Sequence, residues 1–583
     1  MTNITLGIAG AIGHDPSAAL IIDGTLVAAV EEERLLRRRH AKEELPFLSA
    51  RRCLQIGRVK ASEVTHVAIP FAPTSLSTKG RWHYAYRHWY APDRALDSVL
   101  NGNRRYRRYL KELRGLLDRL HIPMSSIQLV PVEHQLAHAS SAYHLSGSTE
   151  KTAIFCVDSK GEYSSIFLGY GENGKIVKVK EFYNPDSLCG MYAGITDYLG
   201  FDVLDGEFKV MGISPFGDPD KYDLSALARF DGNRFKVNTH LVSTVGLRRF
   251  KAKSRGHYFS QKLVDMLGPR RVGNLVDDPY VHYAAGIQQL YEKIAADMVQ
   301  TYLGDILKET GRLAVAGTGA MNIRLNRHLA NMPNVKTLVV HPACGDSGTA
   351  IGAAAYASSM AGIKIDRMKN MFLGPTYSTN QCISACRTHR EKPGYELLDD
   401  PFAKASELMA AGELVAWFRG RMEFGPRALG NRSILCHPAQ AGIADLVNKQ
   451  VKFRETWRPY SASILESVAE EILEGEILDE YMCINMIVKQ AWREKYPAIV
   501  YAQEGSTRAQ VVKAESNPDM HRLLTTFRQL TGHGLLINTT LNRPGEALVC
   551  SPSDAIDVFQ GTDLNYMIME NVLVTKRPES DVW

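Results

Sequence analysis

The sequence lacks both a long hydrophobic run and a closely paired cysteine motif. No stretch of about 18 uncharged apolar residues, the length that a membrane-spanning helix needs, occurs in the chain. The opening residues, MTNITLGIAG, do not show the basic-then-apolar pattern of a signal peptide. The nine cysteines include no CxxC pair. These absences predict reduced thiols in a cytoplasmic protein that has no membrane partner.

The sequence also lacks a strong excess of charge of either sign. Its 69 Lys and Arg face 63 Asp and Glu, which leaves a formal net charge of +6 on 583 residues. Such a mild excess suits small anionic substrates at least as well as nucleic acid. Hydrophobic residues make up 45% of the chain and charged residues 23%, so the composition is that of a folded protein. At about 150 residues per domain, the length predicts several domains.

A weak internal repeat occupies the first half of the chain. Residues 4–10 and 17–23 have the pattern of strands, and a hairpin leads into a third predicted strand over 25–33. The same order of strand, turn, strand, hairpin and strand returns over 152–182. The recurrence indicates a duplicated α/β domain with a cleft between its halves, and two unrelated hairpins are an equal alternative.

The segments that follow alternate between helix and strand. Residues 285–309 have apolar side chains at helical spacing, and a strand over 313–317, a helix near 320–331 and a strand over 337–342 come next. This order predicts a partly parallel sheet. Around 374–400 the periodicity is lost and turn formers accumulate, so we predict a domain boundary there.

A first candidate site combines histidines with carboxylates. In HQLAH, His134 and His138 are four residues apart, and on a helix they would point the same way. Asp158 ends the next predicted strand and Asp346 stands at a strand-to-helix junction. Two imidazoles and two carboxylates fit Fe(II), Mn(II) or Zn(II) better than Ca(II) or Mg(II). On spacing alone, a purely structural histidine pair is the alternative.

Two glycine-containing segments are candidates for holding a ligand. AVAGTGAMN places Gly317 and Gly319 between a strand and a helix, where a backbone can approach an anion. The segment is neither GxGxxG nor a P-loop, and a short G-x-G is most often only a turn. GEFKVMGISPFG presents Lys209 in a predicted cleft loop. That lysine would hold a phosphate or carbonyl oxygen, or would simply be solvated.

The strongest candidate is a basic segment over 419–458. It contains six arginines and two lysines against three acids, and Arg427 and Arg432 bracket a glycine loop. Arginine forks match phosphate and carboxylate oxygens in a bidentate way. Aromatic, glycine and proline residues interleave with the arginines, which favours a shaped anion pocket over a solvated basic face. RNA would use the same residues, and charge does not separate the two.

Six motifs, taken together and in order, resemble the NodU/CmcH family of O-carbamoyltransferases, which modify antibiotics and nodulation factors. They are GHDPSAAL with DGTLVAAVEEER, HQLAHASSAY, GEFKVMG, GRMEFGPRALGNRSIL, VKFRETWRPYSAS and NTTLNRPGE. The similarity runs essentially from end to end of the chain. It favours the metal and nucleotide interpretations over the structural ones.

The resemblance implies an α/β protein of two catalytic domains. Residues 1–374 would form a duplicated actin-like domain similar to the threonylcarbamoyl transferases, and residues 375–583 an α+β YrdC-like domain. The second domain would make carbamoyl adenylate from carbamoyl phosphate and ATP, releasing phosphate and pyrophosphate. The first would transfer the carbamoyl group to a hydroxyl of a small-molecule natural product, with AMP leaving. No nucleic-acid partner is expected.

The family's site residues carry over by position. The metal positions, for Fe(II) or another divalent transition metal acting as a Lewis acid, are His134, His138, Asp158 and Asp346. His14 would accept the hydroxyl proton, Lys209 would line the adenylate cleft, and Mg(II) would accompany ATP. The nucleotide-binding positions are Gly317, Asn322, Arg427, Lys452, Arg458, Arg508, Asn538 and Arg543.

The chain departs from the family at three places. Thr318 and Gly319 stand in AGTGAMN where relatives tend to have AGGVALN, Ala502 in AQEGSTRAQ replaces a histidine, and VDSKGE is poorer in glycine. A tRNA threonylcarbamoyladenosine-type transferase and a non-catalytic nucleotide-binding protein are the alternatives. The fused chain and the GRMEFGPRALG form disfavour the first. The segment 72–115, rich in aromatics and arginines, either contacts the acceptor or coats a helix.

Overall fold

The computed structural model describes residues 2–576 except 12, 90–91, 244–256, 274–276, 456, 476–477 and 502. The departure predicted at Ala502 therefore lies outside the described residues. The chain divides into two compact units. The first contains the described parts of 1–12, 19–26 and 60–368, and the second those of 13–18, 27–59 and 369–583. The predicted boundary at 374 is close to the last of these divisions, and the second unit also includes segments near the N-terminus.

Residues 4–340 build two five-stranded sheets with equivalent strand orders, β3-β2-β1-β4-β5 and β8-β7-β6-β11-β12. The strands are β1 (Ile4–Ala9), β2 (Ser17–Ile22), β3 (Thr25–Glu31), β4 (His66–Ile69), β5 (Gln128–Pro131), β6 (Thr152–Val157), β7 (Ser164–Glu172), β8 (Lys175–Tyr183), a separate pair β9 (Ala228–Phe230) and β10 (Phe235–Val237), β11 (Arg312–Ala316) and β12 (Thr337–Val340). Strand β1 pairs in parallel with β4, and β4 with β5, just as β6 pairs with β11, and β11 with β12. The partly parallel sheet predicted for the region after 312 is confirmed.

Helices of the same part are α1 (Glu32–Leu36), α2 (Phe47–Gly57), α3 (Lys79–Arg87), α4 (Pro92–Leu100), α5 (Arg104–Arg119), α6 (His134–Tyr143), α7 (Leu188–Tyr198), α8 (Glu207–Ile213), α9 (Gln261–Leu267), α10 (Tyr280–Thr310), α11 (Ile323–Ala330) and α12 (Thr349–Met360). The long helix predicted over 285–309 is confirmed as α10. The third predicted strand, 25–33, ends at Glu31 instead, because α1 begins at Glu32 with its side chain buried.

Helix α6 is held against α12 by small side chains. Strand β6 (TAIFCV) is buried at every position, as expected for a strand covered on both faces. In α12, a Cβ on Gly352 would lie 1.8 Å from the carbonyl oxygen of Ala137 on α6. Only glycine permits this approach, and it fixes the position of the helix that begins at His134.

The second unit is built on an eight-stranded sheet of order β13-β23-β22-β14-β15-β21-β16-β20, with a small sheet β17-β18-β19. Its strands are β13 (Gly394–Leu397), β14 (Val415–Phe418), β15 (Arg432–Cys436), β16 (Ser461–Leu465), β17 (Leu473–Glu474), β18 (Met486–Val488), β19 (Ser506–Thr507), β20 (Ala509–Val512), β21 (Leu535–Thr540), β22 (Tyr566–Met569) and β23 (Val572–Thr575). The fold is thus mixed α/β throughout the described chain, as predicted.

The helices of the second unit that follow are α13 (Thr379–Thr388), α14 (Pro401–Ala410), α15 (Ile443–Val447), α16 (Glu466–Ile472), α17 (Gln490–Arg493), α18 (Pro518–Thr531) and α19 (Pro552–Gln560). The core of this unit centres on β14, where Trp417 and Phe418 are fully buried. The irregular segment 374–400 contains α13, whose first turn is closed by a capping box between Ser378 and Gln381. In the described part of the chain, no helix combines the length and hydrophobicity that a bilayer crossing requires.

Candidate active sites

Four predicted metal-ligand residues of the first unit come together, and we call them the His–Asp cage: His134, His138, Asp158 and Asp346. The two histidines occupy successive turns of α6, Asp158 follows β6 directly, and Asp346 opens a short 3-10 helix ahead of α12. One ligand atom from each residue lies within 4.8 Å of the other three. The cage is thus assembled from one helix and two loops that lie far apart in sequence.

The cage places nitrogen and oxygen donors at spacings suited to one shared ion. The two Nε2 atoms of His134 and His138 are 3.2 Å apart. His134 Nε2 is 3.4 Å from an oxygen of Asp158 and 3.6 Å from one of Asp346. His138 Nε2 is 3.8 Å from the same oxygen of Asp346. These residues fit a divalent transition metal in both donor type and convergence.

Electrostatics at the cage also favour a bound cation. Asp158 is fully buried, and burial by itself would raise the pKa of its carboxyl. Hydrogen bonding to His134 and the charges of both histidines outweigh burial, so the pKa of Asp158 is lowered. Burial lowers the pKa of His134, yet Asp158 and Asp346 raise it well above its ordinary value. Positive charge is therefore stabilised at the centre of the cage.

A glutamate that the sequence analysis did not single out supports the first histidine. Both oxygens of Glu162 lie 3.2–3.3 Å from the backbone N–H of His134, which starts α6, and one accepts from Ala72 at 2.7 Å. A carboxylate at a helix N-terminus is a favourable arrangement. Burial raises the pKa of Glu162. The carbonyl of Pro70, 3.3 Å from His134 Nδ1, fixes the other side of the ring. In the sequence, the only indication of this role is the glutamate that ends VDSKGE.

The glycine turn after β11 contacts both cage carboxylates. Gly317 has φ +92°, and a Cβ there would lie 2.2 Å from the carbonyl oxygen of Val157 at the end of β6. This close approach brings the N–H of Thr318 to 3.1 Å from Asp158 Oδ1. The Thr318 hydroxyl also lies 3.4 Å from Asp346 Oδ1. The threonine that departs from the family pattern thus touches two metal-ligand candidates.

Asn322 and Lys209, two predicted site residues, contact neighbouring side chains of the first unit. Asn322 is the N-cap of α11, and its amide forms a two-way pair with Gln288 of α10 at 2.9 and 3.1 Å. Lys209 lies in α8 with its ammonium 5.3 Å from the ring centroid of Phe201. The prediction of a loop around Lys209 was wrong, because apolar residues at helical spacing, such as Val210 and Ile213, are buried in this turn.

The second unit gathers an arginine cluster, defined as Arg427, Arg454, Arg458 and Arg508. Burial lowers the pKa of Arg508 well below its ordinary value, and repulsion from the three other arginines lowers it further. Arg508 Nε donates to the hydroxyl of Ser461 at 2.8 Å. The guanidinium of Arg454 stacks 3.8 Å from the ring centroid of Tyr460. So many buried or half-buried guanidinium groups in one place suit an anion.

The loop that carries Arg427 is fixed by buried amides and a carboxylate. Glu423 Oε1 accepts from the N–H groups of Leu429 and Asn431 at 2.9 Å each. Asn538 donates to the carbonyl of Ala428 at 3.1 Å. Asn538 is buried, and its Oδ1 has no hydrogen-bond partner among the described residues. This arrangement holds the arginine loop rigid beside an unused acceptor.

Lys452 is buried among neutral oxygens. Its Nζ donates to Thr540 Oγ1 at 3.1 Å and to Asn542 Oδ1 at 2.8 Å, besides the carbonyls of both residues. Burial, with a smaller contribution from Arg454, lowers the pKa of Lys452 to about 7. Its ammonium therefore sits at the balance between its charged and neutral forms near neutral pH.

Two other arginines of the basic segments have different roles. Arg432 is fully buried and donates to the carbonyls of Arg419 and Gly420, with Phe418 beneath it at 3.7 Å. Arg432 therefore lies inside the core, where these carbonyls accept from its terminal nitrogens while its Nε has no partner among the described residues. Arg543 forms a two-pronged ion pair with Glu546 at 2.6 and 3.0 Å, which raises the pKa of Arg543.

His14 belongs to the second unit and is paired with its neighbour. Its Nδ1 lies 2.8 Å from one oxygen of Asp15, whose other oxygen lies 2.8 Å from Nδ1 of His40. Burial raises the pKa of Asp15, but the two histidines outweigh it and leave the pKa lowered. Asp15 adopts φ +54°, a strained backbone for a non-glycine residue. The carboxylate thus orients both imidazoles.

Comparison with known proteins identifies one family over most of the chain. The carbamoyltransferase N-terminus family model matches residues 4–355, and the carbamoyltransferase C-terminus model matches 406–576. The nodulation protein NolNO of Sinorhizobium fredii is 31% identical over 97% of this chain and 80% of its own length. The 3'-hydroxymethylcephem-O-carbamoyltransferase of Streptomyces clavuligerus is 30% identical over 50% of this chain and 55% of its own.

Among solved structures, HypF of T. kodakarensis covers 62% of this chain and 48% of its own at 10% identity, with a TM-score of 0.30. That likeness is too slight to carry an argument. The family matches span most of the sequence and include both parts that hold the sites described above. The chain belongs to the carbamoyltransferase family and is a transferase enzyme.

Proposed function

We propose that this carbamoyltransferase is an ATP-dependent O-carbamoyltransferase. It makes carbamoyl adenylate from carbamoyl phosphate and ATP and transfers the carbamoyl group to a hydroxyl of a small-molecule natural product. The observation that carries the proposal is the His–Asp cage, in which two imidazoles and two carboxylates converge within 4.8 Å. The equivalent strand orders of the two five-stranded sheets support a duplicated actin-like domain over 1–374. We assign residues 375–583 to a YrdC-like domain.

The arginine cluster suits the first half of the reaction. Water attacks the phosphorus of carbamoyl phosphate, the bond from phosphorus to the carbamoyl oxygen breaks, and carbamate and phosphate form. An oxygen of the carbamate then attacks the α-phosphorus of ATP, and pyrophosphate departs with the electron pair of the broken bond. All of these species are anions, and Arg427, Arg458 and Arg508 would neutralise their phosphoryl oxygens. Asn538 offers its unpartnered Oδ1 to a hydrogen-bond donor of the bound substrates. Mg(II) would accompany the nucleotide.

The His–Asp cage suits the second half. Iron(II), or another divalent transition metal, held by the four cage residues would supply Lewis-acid polarisation of the carbamoyl carbonyl. The hydroxyl oxygen of the acceptor forms the new bond to the carbamoyl carbon, and the bond from that carbon to the AMP phosphate oxygen breaks. We assign acceptance of the hydroxyl proton to His14. With Nδ1–H donated to Asp15, its Nε2 is the basic nitrogen.

The decisive experiment compares two substrate mixtures. The protein is incubated with ATP and carbamoyl phosphate, or with ATP, bicarbonate and threonine, and pyrophosphate release is followed in each. We expect release only with carbamoyl phosphate. Release only with threonine would assign the chain to threonylcarbamoyl chemistry instead, and ATP binding without any product would indicate a nucleotide-binding protein. A mass-spectrometric screen of hydroxylated natural products for the gain of one carbamoyl group would then identify the acceptor.

A further inference from the structure

A cavity of about 360 Å³ lies beside the His–Asp cage within the first unit. Small-molecule sites typically enclose about 300–1,000 Å³. Two of the lining residues connect the cavity to the cage directly. Glu162 accepts the N–H of His134, and the N–H of Lys160 donates to Asp158 Oδ2 at 3.1 Å. A molecule in this cavity therefore lies next to the proposed transfer centre.

The cavity wall carries more positive than negative charge. Arg104, Arg105 and Lys160 face two carboxylates, Asp97 and Glu162. Both carboxylates are already engaged: Asp97 accepts from Asn101 at 3.0 Å, and Glu162 accepts backbone N–H groups. The cations exceed the carboxylates by one, which favours a carboxylate or phosphate group over an ammonium group.

Arg105 is a cation of the cavity wall whose charge interacts with a cage carboxylate. The protein around its guanidinium lowers the pKa of Arg105, while the charges of Glu162 and Asp346 act to raise it. Its side chain keeps an exposed surface and lies 5.7 Å from the ring centroid of Phe71. This distance is within range of a cation–π contact, and the planar guanidinium fork matches two oxygens of a carboxylate or phosphate.

One acceptor atom in the cavity wall, Oδ1 of Asn184, lacks a partner among the described residues. Asn184 is fully buried, and its amide nitrogen lies 3.4 Å from the carbonyl of Tyr163. Its Oδ1 accepts no hydrogen bond from any described residue. Buried polar atoms are almost always satisfied, so this acceptor calls for a donor from a ligand or water. Aromatic rings of Phe71, Tyr84 and Tyr163 form the apolar part of the wall.

We propose that this cavity binds the acceptor of carbamoyl transfer and selects hydroxylated molecules that bear a carboxylate or phosphate group, with Arg105 positioning that anion. This inference rests on the proposed function and adds the chemical class of the acceptor. Arg105 acts on substrate placement and is a specificity-determining residue. The segment 72–115, for which the sequence left acceptor contact and helix coating equally open, supplies most of the wall.

The test uses three benzyl alcohols that differ only in the substituent para to the hydroxymethyl group. They are 4-(hydroxymethyl)benzoate, 4-(hydroxymethyl)phenyl phosphate and the neutral 4-(hydroxymethyl)benzamide. Binding of each to the full-length protein is measured by ligand-observed NMR titration without ATP. We expect at least one anion to bind about tenfold more tightly than the amide. Arg105→Gln should remove that preference, whereas Arg114→Gln, at an exposed position of the same helix, should retain it. The two anionic arms separate carboxylate from phosphate recognition.

Equal binding of all three probes, or an anion preference that survives Arg105→Gln, would overturn the inference. Pyrophosphate release from ATP and carbamoyl phosphate, measured without acceptor, keeps it distinct from the proposed function. Release that persists in Arg105→Gln, with KM for the preferred anionic alcohol raised about tenfold, supports the acceptor role. Release with no discrimination among the probes refutes the cavity assignment alone. Absence of release in the wild type refutes the proposed function and with it the acceptor role.

Discussion

The His–Asp cage and the arginine cluster solve opposite electrostatic problems in one chain. In the cage, Asp158, which is fully buried, and Asp346 raise the pKa of His134, so positive charge is stabilised at its centre. The cluster crowds Arg508 with three further guanidinium groups, so positive charge is destabilised there. Charges that a fold leaves in such surroundings mark places where a ligand brings the opposite charge. The comparison implies a cation site in the first unit and an anion site in the second.

The largest change that we expect follows from loss of Arg427 and affects only the arginine cluster of the second unit. Arg427→Ala should reduce pyrophosphate release from ATP and carbamoyl phosphate by about a thousandfold or more, the size seen when an arginine that neutralises a transferring phosphoryl group is lost. Bound metal should stay at the wild-type level. Arg390→Ala is the matched control, because that side chain is 80% exposed in the same unit. Normal release in the Arg427 variant would remove the cluster from the first reaction.

The titration of Lys452 tests how strongly the second unit disfavours positive charge. Because its folded-state pKa of about 7 lies below the ordinary 10.5, the unfolded chain binds more protons between these values, and stability rises with pH there. This lysine contributes at most about 1.4 kcal/mol of unfolding free energy per pH unit. We expect wild type to gain stability relative to Lys452→Met as pH rises from 7 to 10, measured by denaturant unfolding. Parallel profiles would show that the buried ammonium carries no such penalty.

A change in the His–Asp cage should affect carbamoyl transfer without affecting adenylate formation. His138→Ala removes one imidazole of the cage, so we expect carbamoyl transfer to fall by about a hundredfold and metal content to drop, while pyrophosphate release persists. His121→Asn is the control, because His121 is exposed in the same unit and asparagine tolerates its left-handed backbone. Elemental analysis and product mass spectrometry measure the two effects. Loss of both half-reactions in the His138 variant would contradict separate sites.

Local pattern predicted the elements of the fold better than their contacts. The buried run of β6 and the helical spacing of α10 are properties of neighbouring residues, and both elements lie where the sequence placed them. The surroundings of Arg432 were not predictable from the sequence, because its partners are backbone carbonyls that the fold of the loop brings around it. Lys209 was placed in a loop because flanking glycines were given more weight than the buried apolar residues of the turn.

The cage shows the same division between local and distant information. Helical spacing placed His134 and His138 on one face, and the ends of predicted strands suggested Asp158 and Asp346. The family resemblance then favoured a metal site over a structural histidine pair. The contacts that Glu162 and Thr318 make with the cage were not predicted, because they depend on where β6, β11 and α6 meet. No periodicity reports such a meeting point. Supporting residues of this kind are found only once the sheet register is known.

The smallest change that we expect concerns the metal affinity of the His–Asp cage when the hydroxyl of Thr318 is removed. Thr318→Val keeps the size and the backbone N–H that Asp158 accepts but removes the hydroxyl near Asp346. We expect metal affinity to fall about tenfold, the lower range for a group that supports a ligand, and Thr318→Ser to restore it. Metal titration of the apoprotein provides the measurement, and thermal unfolding in chelator checks the fold. Unchanged affinity in the valine variant would mean that the backbone N–H alone supports the cage, and that the threonine hydroxyl adds nothing to the cation site.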